Sequence, residues 1–381
     1  MEYLHQSSFP ATKSELEIFS VPPTQTAISH SYQVEYRPTS SIEKGDSFEI
    51  LVPASDDFTD LQATMIDLIV GTVNTSQASN RYHYQSWFED TLFRVKNKID
   101  SGRMDESDST RIANGIFDLY FRMHLPLCEQ DKLLINAVPI SFRFNKSPEG
   151  FPLIKTDATD TESYQVQLNA ITLHIRRVKL FPDAQISILK GLIKSPAKYF
   201  ITRNEIRVFS ISSNLVGATI ESLFSGILPR RVVIGFVDDA AHIGSLTKDP
   251  YQFQHFNINY IALQADGNLI PSLPYQPNFE KKLYMREFVN LYRALGQDEG
   301  QPQLDVSYED FGKSKTLFAF DLTPDGSIGA ENGTLSLLKR GNIRLHVKFS
   351  KTLTTSIKAI IFAQFDNVIT IDQNRNVTVD Y

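Results

Sequence analysis

A chain of 381 residues is too long for one ordinary domain and suits two of average size. It is 41% hydrophobic and 22% charged, so it can bury full cores, and 38 basic against 44 acidic side chains leave a net charge of -6, which argues against a surface dominated by duplex nucleic acid. Its one cysteine, Cys128, excludes an intrachain disulfide, and no stretch approaches the roughly 18 consecutive apolar residues of a membrane span. The start, "MEYLHQSSFPATKSELEIF", lacks a basic segment followed by an apolar one, so no signal peptide and a reducing intracellular compartment are expected. The sequons at Asn74, Asn332 and Asn376 are then expected to be chance matches.

Residues 1–27 read as an extended arm, because Pro22-Pro23 cannot join a central strand. Short strands follow. "SYQVEYRP" alternates Tyr32, Val34 and Tyr36; "FEILV" comes after a Gly45-Asp46 turn; "TMIDLIV" alternates Ile66, Leu68 and Val70. "YQSWFEDTLFRVKNKIDSG" places Tyr84, Trp87, Phe88, Leu92, Val95 and Ile99 on one helical face and stops before Gly102. "YQVQLNAITLHIRRVKL" alternates Tyr164, Val166 and Leu168, then shifts phase at Ala170 to Ile171, Leu173 and Ile175, which predicts a bulge. "DAQISILKGLIK" predicts a short helix capped by Asp183.

"EIRVFSI" sets Ile206, Val208 and Ser210 against Arg207 and Phe209, and "VVIGFV", Val232 to Val237, is an apolar strand running into Asp238-Asp239. "FQHFNINYIAL" alternates Phe256, Ile258 and Tyr260 before Asp266-Gly267, a hairpin signal. "NFEKKLYMREFVNLYRALG" predicts a helix from Asn278 to Leu295, with Asn278 as cap, Phe279, Leu283, Phe288, Leu291 and Leu295 inward, and Gly296 as terminator. "NIRLHVKF" points Ile343, Leu345, Val347 and Phe349 inward and Arg344, His346 and Lys348 outward, with "SIKAIIFAQF" as its expected partner; "VITIDQNRNVTVDY" supplies two last strands across a polar turn. Many short strands with three connecting helices describe an all-β architecture, a sandwich twice over, divided as 28–180 and 181–381.

Asp238-Asp239 at a strand end would suit a magnesium-dependent phosphotransferase only beside a phosphate cradle, and the one Gly-Lys-Ser, Gly312-Lys313-Ser314, has Ser307 where the first cradle glycine belongs. The pair therefore reads as loop carboxylates. No G-x-S-x-G elbow exists, and the eight histidines never fall at H-E-x-x-H spacing. His346, outward on its strand, reads as solvated. "DATDTE", 157–162, lacks the glycine of a calcium loop and reads as acidic surface. Cys128 near His124 reads as a buried thiol rather than a nucleophile pair, and the 26 Phe and 15 Tyr mostly read as core. No catalytic, cofactor-binding or metal-ligating residue is expected.

Longer segments carry more. "SELEIFSVPPTQTAI", "VEYRPTSS", "DDFTDLQAT", "FDLYFRMHLPLCEQDKLLINAVPISFRF", "AKYFITRNEIRVFSI", "GILPRRVVIGFVDDAAHIGSLTKDPYQFQHFNINYIALQADG", "FDLTPD" and "FDNVITIDQNRNV", in this order, resemble the major capsid protein of Polinton (Maverick) transposable elements and related adintoviruses. The resemblance implies a double jelly roll, two eight-stranded antiparallel sandwiches in one chain. It also implies homotrimers forming pseudo-hexagonal, hexon-like capsomers of an icosahedral virion, penton or minor capsid partners, and a structural protein rather than an enzyme. One departure stands out: after "LIVGTV" only "NTSQASNR" precedes the aromatic helix, so the first jelly roll is expected to be shortened near 74–81. The alternative is a β-sandwich module that binds glycans or peptides without assembling.

Overall fold

The computed structural model describes residues 24–42, 47–72, 81–93, 117–146, 166–245, 247–297, 304, 306–323, 326 and 340–380. In the second half, β7 (Ala197–Ile211), β14 (Ile357–Ile371), β9 (Arg231–Asp238) and β12 (Leu317–Asp321) lie side by side in that order. Facing them is a sheet ordered β8 (Gly217–Ile227), β13 (Arg340–Phe349), β10 (Ile258–Ala265) and β11 (Asn268–Tyr275). All pairings are antiparallel. Counted along the chain, strands 1-8-3-6 form one sheet and 2-7-4-5 the other, which is the order of an eight-stranded jelly roll. Val232, Ile234 and Phe236 meet Ile261, Leu263, Leu345 and Val347 in the core between the sheets.

The other face of the β7–β14–β9–β12 sheet is covered as well. Helices α1 (Arg81–Phe93), α5 (Met285–Ala294) and α6 (Tyr308–Phe311) bury Tyr84, Phe88, Leu92, Leu291 and Phe311 against Val233, Val237, Leu317 and Phe362. A strand with both faces buried has no polar phase, which is why Val232 to Val237 reads as an unbroken apolar run. Where only one face is covered the alternation is clean. Along β13, Ile343, Leu345, Val347 and Phe349 are buried while Arg344 and Lys348 are exposed.

The first half repeats the plan. β1 (Ile28–Tyr36), β6 (Val166–Leu180), β3 (Phe58–Thr72) and β4 (Phe117–Arg122) form one sheet in that order, and β2 (Ser47–Val52) pairs β5 (Ile140–Asn145) opposite it. These are positions 1-8-3-6 and 2-7 of the same order. Positions 4 and 5 would fall between β3 and β4, where the described residues hold α1. The expected shortening at 74–81 falls almost wholly on residues outside the described set. Ile50, Val52, Phe58, Leu173 and Ile175 fill this core, joined by Leu192, Tyr199 and Ile371 from helix α3 (Pro182–Lys194), β7 and β14. The long second-half strands therefore reach past their own sandwich into the first.

Several local expectations hold. The β3–β6 register slips between Ile69↔Ala170 and Val70↔Leu168, at the expected bulge. Asp266 (φ 47°) and Gly267 (φ 88°) close the β10–β11 hairpin with both central residues left-handed, a primed turn that matches strand twist. Val368–Ile371, the end of β14, pairs with β15 (Val377–Asp380) across the polar turn.

Others need correction. "SIKAIIFAQF" does not pair with β13: residues 350–356 cross to the opposite sheet, so β14 faces β13 across the core. The helix expected from Asn278 starts at Met285, because Lys282 (φ 55°) leaves the helical path; Asn278 closes a tight turn, accepting from the Lys281 N–H. Leu283 is consequently exposed and Phe288 only partly buried. Helix α3 begins at Pro182 with Phe181 at its cap position, leaving Asp183 in the first turn. Strand β10 starts at Ile258, and its register shift against β13 between Ile258 and Tyr260 turns Ile261 and Leu263 inward instead of Tyr260. The loop expected after β9 is a short helix, α4 (Asp239–Ile243).

Candidate functional site at the junction of the two sandwiches

Helix α1 belongs by sequence to the first sandwich and by packing to the second. Tyr84, Trp87, Phe88 and Leu92, spaced at three and four residues, lie among Phe253, Phe311 and Phe362. Phe88 stands 5.4 Å from Phe253 and 5.3 Å from Phe362 between ring centroids. Four buried side chains, at about 1.5–3 kcal/mol each, are enough to hold a 13-residue helix firmly in place.

The polar residues of α1 continue the joint. Glu89, 3% exposed, accepts at Oε1 from Gln85 Nε2 (2.9 Å) and Asn204 Nδ2 (2.5 Å), and its Oε2 lies 2.9 Å from His124 Nδ1. His124, equally buried, sits just after β4, and its Nε2 is 3.5 Å from Asp90 Oδ1. Asn204 in turn accepts from Gln364 Nε2 at 3.1 Å, across the β7–β14 ladder. One hydrogen-bonded chain thus runs from β14 through β7 and α1 to the connection leaving β4. Each ring nitrogen of His124 thus faces a carboxylate oxygen, one of Glu89 and one of Asp90. Burial without such partners would be costly, so the network fixes how the two sandwiches meet.

The same groups have metal-ligand chemistry. Glu89, His124 and Glu129 each offer a ligand atom, and these atoms lie within 4.8 Å of one another. One imidazole and two carboxylates are a donor set suited to a divalent transition ion. Cys128, in helix α2 (Pro126–Glu129), does not join them: burial pushes its thiol up to about 12, and it packs in the first core. Nothing in the sequence spacing announced this cluster.

The sequence candidates lie elsewhere. Asp238 caps α4 by accepting from the Ala240 N–H at 2.9 Å and pairs with Lys248 at 2.9 Å; Asp239 pairs with Lys358 at 3.0 Å. Two lysines occupy the carboxylates that a magnesium ion would need. Gly312-Lys313-Ser314 is the turn after α6, with Lys313 bound to Glu309. His346 does point outward but is half-buried, 3.2 Å from both Thr219 and Gln264. "DATDTE" lies outside the described residues.

Comparison with known proteins places this arrangement. The chain is similar over 95% of its length, and over 99% of the other chain, to PBCV-1 VP54 as fitted into a reconstruction of the virophage Sputnik, with a TM-score of 0.59 at 10% identity. A chain of the Sputnik virophage structure matches at 0.58 and 10% identity (98% and 93% covered), and the mavirus major capsid protein at 0.53 and 8% identity (99% and 96% covered). The fold is a double jelly roll. At these identities the likeness concerns architecture, and in these three cases it covers 95–99% of this chain, both sandwiches included. No family model matches the sequence. An uncharacterized Caenorhabditis elegans protein, F54H12.2, is 22% identical over 322 residues, covering 79% of this chain and 75% of that protein.

Proposed function

We propose that this double jelly roll is a capsid shell subunit that trimerises into pseudo-hexagonal capsomers, encoded by a virus-like transposon of the Polinton or adintovirus kind. The observation that carries the reading is end-to-end likeness to viral capsid chains, two sandwiches matched together rather than one. A binding module needs a single sandwich. A shell tile needs two held in fixed relation, so that three copies present six similar sides. The α1 junction supplies that fixed relation here. Exposed Leu273, Leu283, Met285 and Val289 offer apolar surface of the kind that copies bury against one another. A nematode relative covering three quarters of its own length supports residence in animal genomes, as an integrated element would have. In this reading the virion holds the protein, with penton or minor capsid proteins at its other contacts, and its role is structural, without catalysis or a cofactor.

Native mass spectrometry and negative-stain imaging of the purified full chain test this. Trimers and hexagonal particles are the expected result. A monomer at every concentration, with none of these particles, would leave the glycan- or peptide-binding module as the better reading.

A further inference from the structure

Helix α3 joins the two sandwiches and turns an apolar stripe to solvent. Leu192 anchors it in the first core, yet Ile186, Leu189 and Ile193, spaced at three and four residues, are exposed, Ile193 by 70%. Exposed Phe181 precedes the helix, and exposed Lys190 and Lys194 flank the stripe, with Lys179 and Lys198 at the ends of the adjoining strands. Such a surface is unusual for a side chain set that could have faced inward.

The described chain begins beside this stripe. Ala27 O accepts from the Phe181 N–H at 2.9 Å, and Ile28 pairs with Leu180, so Ala27 and Ile28 lie at the N-terminal end of α3. The residues preceding 24 include "SELEIFSV", 14–21, in which Glu15 and Glu17 alternate with Leu16 and Ile18. Acidic and apolar groups in that order match an apolar stripe edged by lysines. Reach is ample. Nine residues from Ala27 back to Ile18 span at most about 30 Å, against about 20 Å for the whole of α3.

We propose that the exposed stripe of α3 is the seat of this chain's own N-terminal arm, with Leu16 and Ile18 on Ile186, Leu189 and Ile193, and Glu15 and Glu17 toward Lys190 and Lys194. The covalent tether favours the chain's own arm over a neighbour's, since a short linker gives an effective concentration on the order of millimolar. The inference does not depend on the capsid reading, because a monomer would show it equally.

The test is a cysteine pair in the full chain, Ile18→Cys with Ile193→Cys, oxidised at low protein concentration and mapped by peptide mass spectrometry. Ile18→Cys with Leu215→Cys, another exposed position, is the control. An intrachain 18–193 disulfide forming at least tenfold faster than the control pair is expected. Disulfide-linked dimers in place of the intrachain bond, or equal rates in the two pairs, would overturn the proposal. In parallel, deletion of residues 1–22 should raise binding of an apolar dye, and Ile193→Ser in the deleted chain should remove most of the increase. Dye binding unchanged by the deletion would count against an occupied stripe even where the disulfide forms.

Discussion

Adding one methyl group at Gly235 should destabilise this protein more than its chemistry suggests. Gly235 lies mid-way along β9, paired with Ile360 of β14 on one side and Leu317 of β12 on the other. A Cβ there would stand 2.3 Å from Cδ1 of Phe253, 2.8 Å from its Cε1 and 2.9 Å from Cδ2 of Leu317. Ordinary carbon contacts are about 3.5–4 Å, so the Phe253 ring would have to retreat by about 1 Å or more. It has no room: the ring is fully buried, with centroids of Trp87, Phe88 and Tyr84 at 4.8, 5.4 and 6.3 Å. Overpacking of this kind costs about 1–3 kcal/mol. At an m value of about 3 kcal/mol/M, Gly235→Ala should lower the urea midpoint by about 0.3–1 M. Phe253→Leu would make space, so the double variant should lose less than the two singles added together. An unchanged midpoint for Gly235→Ala, or strict additivity with Phe253→Leu, would refute the packing argument.

Three further outcomes follow from the same structure. Glu287 is buried in α5, accepts from the Gln276 N–H, and is held above the usual carboxylate range chiefly by desolvation. Below about pH 4 it is protonated in both states; as pH rises the unfolded chain ionises first, so the folded state loses stability until the buried group also ionises. Glu287→Gln, which keeps the acceptor, should therefore raise the urea midpoint at pH 7 relative to wild type and change it little at pH 4; equal effects at both pH values would contradict the desolvation argument. At the junction, a double-mutant cycle of Glu89→Gln and Asn204→Ala should give a coupling of about 0.5–3 kcal/mol in denaturant melts, and additive effects would mean that the network does not join the sandwiches. Asp238→Asn with Asp239→Asn keeps an acceptor at the cap of α4 and loses only the Lys248 and Lys358 pairs, so it should cost about 1 kcal/mol or less, with no calorimetric heat of magnesium or manganese binding lost; a binding heat that disappears in the variant would restore a metal role to the pair.

How much of this could be read from the sequence follows from which faces are covered. β13 was legible because its outer face meets solvent, leaving Arg344 and Lys348 to mark the phase. β9 was legible as a strand, but nothing in Val232 to Val237 says that Val233 and Val237 meet helices while Ile234 and Phe236 meet the other sheet. β12 is five residues long and buried on both faces through Phe320, too short for periodicity to register. The start of α5 was missed because Phe279 and Leu283 continue a helical spacing through a turn that Lys282 breaks. The junction is harder still. Glu89 is separated from His124 by 35 positions and from Asn204 by 115, so no local pattern exists. The available hints were a carboxylate among the aromatics of α1 and a histidine between Met123 and Leu125, and both fit a bland polar residue equally well.

The two sandwiches differ in what they do with the stretch between their third and sixth strands. In the second, that stretch supplies β10 and β11, which complete a four-stranded face over the core. In the first, the described part of it is α1, which leaves its own sandwich and covers the back of the other. The first sandwich in turn borrows Tyr199 and Ile371 from the ends of β7 and β14, with the Tyr199 hydroxyl accepting from the Ile135 N–H at 3.0 Å and Arg375 bound to Asn136 beyond β14. Each half thus buries apolar surface of its own against side chains of the other, so the halves are exchanged parts of one block rather than beads on a linker. Inter-domain interfaces that are small and polar permit relative motion; one built from buried aromatics, two shared long strands and a buried charge network does not. Rigidity of that kind gains nothing for a module that binds one ligand on one sandwich. For a tile that must present six fixed sides from three chains, it is the property on which closure of the lattice depends.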